Sequence, residues 1–448
     1  MRSVHAVGKL QRSGDRSQHP LRGRRTSAGV IAFCLALGAG GAAFAASTKT
    51  VPSSALTAAL AYTGGKPQAA NPKLSPVSVG WVSDETALTG HPGNTAGVKA
   101  AVALINDNLG GIDGGHPLKL VYCPITSTAS QGASCAQTML NNSQVSVVAE
   151  GELLTGETPF ISTMAGKKPV IGVFTNGTGT DPNAYYVDGA IQAQLASVSY
   201  LATIKKAKSV AVLGPDLPGV STALGMFAGL FKALGVNATV ILYPNAGTDL
   251  TASIEASGAA GANAIFAVGS DSSECIALAQ AFSSLHIRTP VVSLPECLEP
   301  AVKTALGDYP KWTYVFTSRN PSAPYAKGSQ MAAYTAAMSA YSDPSLENSG
   351  YSPLTFGTIL TIAKWMNALG KPSAITSAAI AAKAAAFTGP MYLGDSKLVF
   401  GTKPFASIGS IRALFYTYLG KNRFFEATNG QWLCPPVPAS GCTVPGAP

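Results

Sequence analysis

Charged side chains are scarce in this chain: only 12% of its 448 residues are Asp, Glu, Lys or Arg, about half the usual share. Such low charge density, with 46% hydrophobic residues, excludes a disordered chain or one that coats nucleic acid, since both need dense charge. Motifs that carry chemistry are missing as well. No Gly-x-x-x-x-Gly-Lys phosphate loop, no His-Glu-x-x-His and no Gly-x-Ser-x-Gly occurs, so catalysis and nucleotide handling find no positive support. Gly177-Thr178-Gly179-Thr180-Asp181-Pro182 begins like a dinucleotide fingerprint, but proline closes it, and it reads as a turn. No Cys-x-x-Cys pair exists, and His91, His116 and His286 are far apart in sequence, which argues against zinc. No cofactor or metal is expected.

Long apolar runs are also absent, apart from one short stretch near the start. Arg2, Lys9, Arg12, Arg16, Arg22, Arg24 and Arg25 face a single Asp15 in residues 1–45. Most of the formal net charge of +9 therefore belongs to this segment, and the remainder is nearly neutral. The basic stretch ends at Arg24-Arg25, an apolar run extends from Ala28 to Leu37, and Ala43-Phe44-Ala45 offers small residues for cleavage. Residues 1–45 are thus expected to be an export signal, the rival reading being a retained membrane anchor. Residues 46–75, rich in Ser, Thr, Ala, Gly and Pro, read as a flexible linker.

Cysteine usage agrees with export. Beyond Cys34, six cysteines form three local couples, for which the expected disulfides are Cys123–Cys135, Cys275–Cys297 and Cys434–Cys442. Between them, strands and helices alternate. Val77–Val82 reads as a strand, Asn94 as the cap of a helix to Asn108, and Leu118–Tyr122 and Val145–Ala149 as further strands. The helix Gly156–Ala165 and the strand Pro169–Val173 follow. The pattern restarts at Ser209–Leu213 and runs through Thr239–Leu242, Ala264–Val268, Pro290–Ser293 and Trp312–Phe316. Strands separated by helices imply parallel sheets covered on both faces, and two successive sets imply two lobes. The later helices Tyr325–Tyr341 and Pro353–Leu369 and the aromatic strands near Ile411–Tyr418 and Arg423–Glu426 are expected to cover both lobes, with residues 435–448 as a tail.

Three segments carry a resemblance. They are Val77–Val82 with Val98–Asn108 and the corner Gly110-Gly111-Ile112-Asp113-Gly114-Gly115, then Val145–Ala149 with Gly151-Glu152-Leu153-Leu154-Thr155-Gly156, and finally the run from Lys208 through Ser293. In order and spacing they resemble the leucine/isoleucine/valine-type solute-binding proteins of ABC importers over residues 76–430. The resemblance implies the α/β fold of type I periplasmic binding proteins: two Rossmann-like lobes with parallel central sheets, joined by three hinge crossings. The expected crossings are Tyr185–Asp188, Val315–Arg319 and Ser407–Ile411. Residues 76–186 and 319–408 then form lobe 1, and residues 187–318 and 409–434 form lobe 2.

In open parallel sheets a ligand sits beyond the carboxyl ends of the strands, near helix N-termini. Thr155 and Gly156 are there, either to hold a ligand's carboxylate or to cap their helix. The resemblance places Phe174 and Asn176 against the same ligand end, although Asn176-Gly177 also reads as a turn. Trp81 faces either core or cleft. For a ligand's ammonium group the resemblance makes Glu296 the nearest carboxylate, with Glu299 following and Asp271 as a second candidate. Ser270 and Pro218 replace aromatic rings common in the family, so the ligand is an amino acid or another small polar metabolite. The implied protein is an exported, monomeric, non-enzymatic carrier that closes on its solute and docks on a membrane permease, with no nucleic-acid partner. A ligand-sensing receptor domain of the same fold, or an α/β enzyme, is the alternative.

Overall fold

The computed structural model describes residues 50–436, apart from residues 86–89, 176–178, 190, 217, 245–248, 270 and 402–405. Its first sheet contains β1 (Val77–Asp84), β2 (Leu118–Ile125), β3 (Val145–Glu150), β4 (Val170–Gly172) and β5 (Ala184–Tyr186), in the order β2-β1-β3-β4-β5. Every pairing in it is parallel. All eight residues of β1 are buried, as a strand covered on both faces requires. Its side chains alternate between two cores. Val77, Val79 and Trp81 join one apolar cluster, and Val82 joins the other.

The helices supply those two covers. On one face lies α1 (Thr57–Thr63) with α2 (Pro92–Asn108) and the later helices Gln330–Tyr341 and Ser352–Leu369; on the other lie α3 (Ser130–Asn141) and α4 (Glu157–Met164). The α2 helix starts at Pro92, two residues before the expected cap Asn94, because proline's fixed φ and missing N–H suit the first helical position. Asn94 instead uses its Oδ1 to accept the Tyr351 backbone N–H at 2.9 Å. The helix ends as its sequence implies, with Gly110 and Gly111 at φ +80° and +69° and the Gly111 N–H returning to the Ile105 carbonyl.

The flexible-linker reading of residues 46–75 needs correction over its described part. Val51, Ala55, Leu56 and Ala59 are all buried in the first lobe's core. Their spacing is that of one helical face, a period that a reading based on small and polar residues overlooks. Long-range hydrogen bonds tie the segment down, among them Asn367 Nδ2 donating to the Thr63 carbonyl and the Lys66 N–H to the Leu109 carbonyl.

The second sheet contains β6 (Ser209–Pro215), β7 (Asn237–Tyr243), β8 (Ala264–Ala267), β9 (Val291–Ser293), β10 (Thr313–Phe316), β11 (Leu414–Gly420) and β12 (Arg423–Glu426), ordered β12-β11-β10-β9-β8-β6-β7. It too divides its side chains between two cores, Ala211 and Leu213 on one face and Val210 and Val212 on the other. Its β10–β11 and β11–β12 pairings are antiparallel, so the aromatic strands near the end of the chain extend this sheet. The late helices pack entirely with the first lobe's core. The residues after β10 therefore divide between the lobes, the helices joining the first and the last strands the second.

The chain passes between lobes after β5, after β10 and before β11. The crossings are tied to one another and to lobe 1. Thr317 Oγ1 donates to Asp188 Oδ2 at 2.5 Å, Ile408 bridges to Tyr186, and Arg412 forms a two-point ion pair with Asp395.

Cys123–Cys135 and Cys275–Cys297 are disulfides, as expected. Cys434 is also disulfide-bonded, while Cys442 and the export-signal residues lie outside the described residues. The Cys275–Cys297 bond joins the first turn of the helix Ser272–Ser284 to the short 3-10 turn Pro295–Leu298 across a sequence separation of 22. Replacing both cysteines with serine is expected to lower stability by about 3 kcal/mol, since the unfolded chain gains the freedom of that loop. Urea denaturation of the double variant checks this, and an unshifted midpoint refutes it.

Candidate functional site

The carboxyl ends of the parallel strands of both sheets face one another across the interlobe cleft, and His91 reaches acids of both lobes there. This residue is the N-cap of α2, just before Pro92, and is only 2% exposed. Its two ring nitrogens reach acids from different lobes. Nε2 lies 3.0 Å from Oε2 of Glu152, on the loop after β3, as an ion-pair contact off the line of a good hydrogen bond. Nδ1 is hydrogen-bonded to Oε1 of Glu299 at 3.1 Å. Glu299 precedes Pro300 at the start of the helix Pro300–Leu306 in the second lobe. Its other oxygen accepts the Ser349 hydroxyl from the first lobe at 2.6 Å. One buried carboxylate of lobe 2 is thus held by two side chains of lobe 1.

Burial by itself disfavours the imidazolium, but Glu152 and Glu299 overcome that and hold the His91 pKa well above its ordinary value. The ring is therefore cationic at neutral pH. Glu296, from the 3-10 turn Pro295–Leu298, completes the group. It is 3% exposed, and its Oε2 has no hydrogen-bond partner. Burial first, and then Glu152, push its carboxyl up to about 8, against the opposing pull of His91. At neutral pH it is mostly the neutral acid. Tyr351 closes the hinge side of the site: it is buried, its ring lies 5.6 Å from that of Phe174, and it sits within the fields of Glu296, Asp188 and Glu152.

The residues singled out from sequence take different places around this centre. Glu296 lies within it, and Phe174 borders it through Tyr351. Trp81, left open between core and cleft, is in the core: it is fully buried, and its Nε1–H donates to Thr95 Oγ1 at 2.8 Å. It supports the cleft from below, because its ring packs so closely under Gly151 that a Cβ there would lie 2.9 Å from it.

Asp271 caps its own helix. Its Oδ1 accepts the backbone N–H groups of Ser273 and Glu274 and the Ser273 hydroxyl, which gives that oxygen a structural task. The Thr155 N–H donates to Asp84 Oδ2 at 3.0 Å, so an internal carboxylate occupies this donor at the start of α4. Gly156 packs against the end of β2, where a Cβ would lie 2.4 Å from Ile125 Cδ1, and against Gly132 of α3. Asn176 lies outside the described residues.

His91, Ser349, Tyr351 and Asp84 escaped the sequence reading. Only His91 left a usable trace, as a histidine directly before a helix-starting proline on the loop after β1. A separate groove of about 540 Å³, lined by Phe282, His286, Arg288 and Trp312, lies at the amino ends of the second sheet's strands, away from the cleft.

The described residues contain no helix long and apolar enough to cross a membrane. A family model described as periplasmic binding protein matches residues 76–403. Among solved structures, a leucine-binding protein from Thermotoga maritima aligns with a TM-score of 0.63 at 14% identity, over 80% of this chain and 99% of its own. A solute-binding protein of an ABC transporter from R. palustris, in complex with 4-hydroxybenzoate, has a TM-score of 0.60 at 16% identity, over 79% and 95%. A fatty acid ABC transporter substrate-binding protein from Thermomonospora curvata has 0.59 at 13%, over 83% and 97%. At these identities the likeness is one of fold. No curated protein sequence matches the chain.

Proposed function

From the premise that this chain belongs to the periplasmic binding protein family, we propose that it is the solute-capturing component of an ABC importer. It is exported by the signal in residues 1–45 and acts as a monomer. It takes a small polar metabolite between its lobes and presents the closed form to a membrane permease. The observation that carries this reading is the buried bridge from His91 and Ser349 of one lobe to Glu299 of the other. A solute in contact with these groups favours closure through interactions that exist only when the lobes meet. The similar structures carry solutes as different as leucine, 4-hydroxybenzoate and a fatty acid by their descriptions, so kinship does not select the chemical class.

Native mass spectrometry of the purified protein tests the proposal. It is expected to show one small molecule per chain. Stripping that molecule by unfolding and refolding, then restoring it, is expected to reduce the radius of gyration in X-ray scattering. Restored solute that leaves the scattering unchanged, or that is chemically converted, would count against a carrier.

A further inference from the structure

Resting on that carrier reading, we propose that the solute is a small organic cation, an amine or guanidine, and that an α-carboxylate on it is penalised by the cleft. The first observation is compositional. The described residues that follow the cleft-facing strand ends (85, 90–91, 126–129, 151–156, 173–175, 179–183, 216, 244, 249–250, 268–269, 271 and 294–299) include no lysine or arginine. Arginines near the hinges are directed elsewhere: Arg412 pairs with Asp395, and Arg319 lines a groove with Tyr416 and Glu426.

The second observation concerns backbone donors. Anions are commonly bound by free N–H groups at helix starts, but several of those in this cleft are engaged by the chain's own groups. The Thr155 N–H before α4 goes to Asp84, and the Ser273 and Glu274 N–H groups go to Asp271. In α2, Pro92 has no N–H, and the Gly93 N–H goes to Ser349 Oγ. The helix Pro300–Leu306 also opens on a proline.

Beside these engaged donors stand Glu152, Glu296 and Glu299, brought together from both lobes. A cationic imidazolium already bridges two of them, and the third presents a buried oxygen with no partner. A solute ammonium or guanidinium here can pair with the partnerless Glu296 oxygen and share Glu152 and Glu299 with His91. It also draws the neutral Glu296 into its ionised form, so capture at neutral pH releases a proton. A solute carboxylate in the same space meets the carboxylates of Glu152 and Glu299, and like charges in a desolvated site repel strongly.

Decarboxylated pairs isolate the charge: agmatine against arginine, cadaverine against lysine, and 3-methylbutylamine against leucine, with 4-hydroxybenzoate as an anion. Calorimetric titration of the stripped protein, folded by circular dichroism, is expected to show at least one amine binding roughly 100-fold more tightly than its amino acid. Repeating the titration at pH 7 in buffers of different ionisation heat is expected to show proton release. Glu296→Gln is expected to weaken that amine by roughly 100-fold, with the wild-type pairs serving as the test if the variant does not fold. An amino acid that binds more tightly than its amine, or binding of 4-hydroxybenzoate alone, overturns the charge assignment and leaves the carrier intact. No binding of any panel member, combined with no solute captured from a deproteinised cell extract, overturns the carrier reading itself.

Discussion

Replacing His91 with alanine is expected to cost about 3–5 kcal/mol and to drive the two lobes apart. That is the usual scale when one partner of a buried ion pair is removed. His91 is the shared cation between Glu152 and Glu299, and both acids are almost fully buried. Without the ring, two carboxylates are left facing each other in a desolvated space, with Glu296 beside them. The least costly relief is hydration of the cleft, because each lobe keeps its own sheet and cores.

Scattering and calorimetry together separate the outcomes. The expected result is a larger radius of gyration, a lower melting temperature and unchanged secondary structure. A variant as compact and as heat-stable as the parent would show that His91 bears no interlobe load. Glutamine is the informative second substitution. It restores hydrogen bonding to Glu299 without the charge, so it is expected to recover only part of the loss.

The second large effect is a loss of closure as pH rises from about 6 to 9. Two groups act in the same direction. Glu296 has a folded-state value of about 8, raised from its ordinary 4.5, so the closed protein prefers the neutral acid. The stabilisation associated with that proton is complete below the ordinary carboxylate range and is lost as pH rises through about 8. His91 is likewise raised well above 6.5 by Glu152 and Glu299, and its contribution is lost when the ring gives up its proton. The melting temperature and the compactness of the solute-free protein are therefore expected to fall together on the alkaline side. Glu296→Gln, which imitates the neutral acid, is expected to flatten much of that fall. A melting temperature that rises between pH 6 and pH 9 would invert the assignment of both groups.

The sequence shows the architecture more clearly than the site. Alternation in Val77–Val82 and again in Ser209–Leu213 identifies strands buried on both faces, and the helices between them leave parallel pairing as the workable topology. Gly110-Gly111 marks the end of α2 because consecutive positive φ angles suit glycine. Cys123–Cys135 and Cys275–Cys297 are also legible, as near neighbours in a chain with few cysteines.

The cleft was much less legible. Glu296 is placed through the resemblance, while Asp271, the second candidate, is engaged as a helix cap. The Asp84 carboxylate that takes the Thr155 N–H lies 71 positions away, beyond the reach of any short window. The segment around α1 read as a tether because its residues are small, although Val51, Leu56 and Ala59 are buried in the lobe 1 core.

The order of strands and helices, the two lobes and the local disulfides follow from information within short windows: periodicity, turn residues and neighbouring cysteines. The charge character of the cleft does not. His91, Glu152, Glu299 and Ser349 come from four separate stretches of chain, and they meet only because three crossings bring one sheet's strand ends over the other's. Burial then determines what they are. In water these would be ordinary exposed acids and a mostly neutral histidine; in the desolvated cleft their proximity makes the ring a cation and Glu296 a neutral acid.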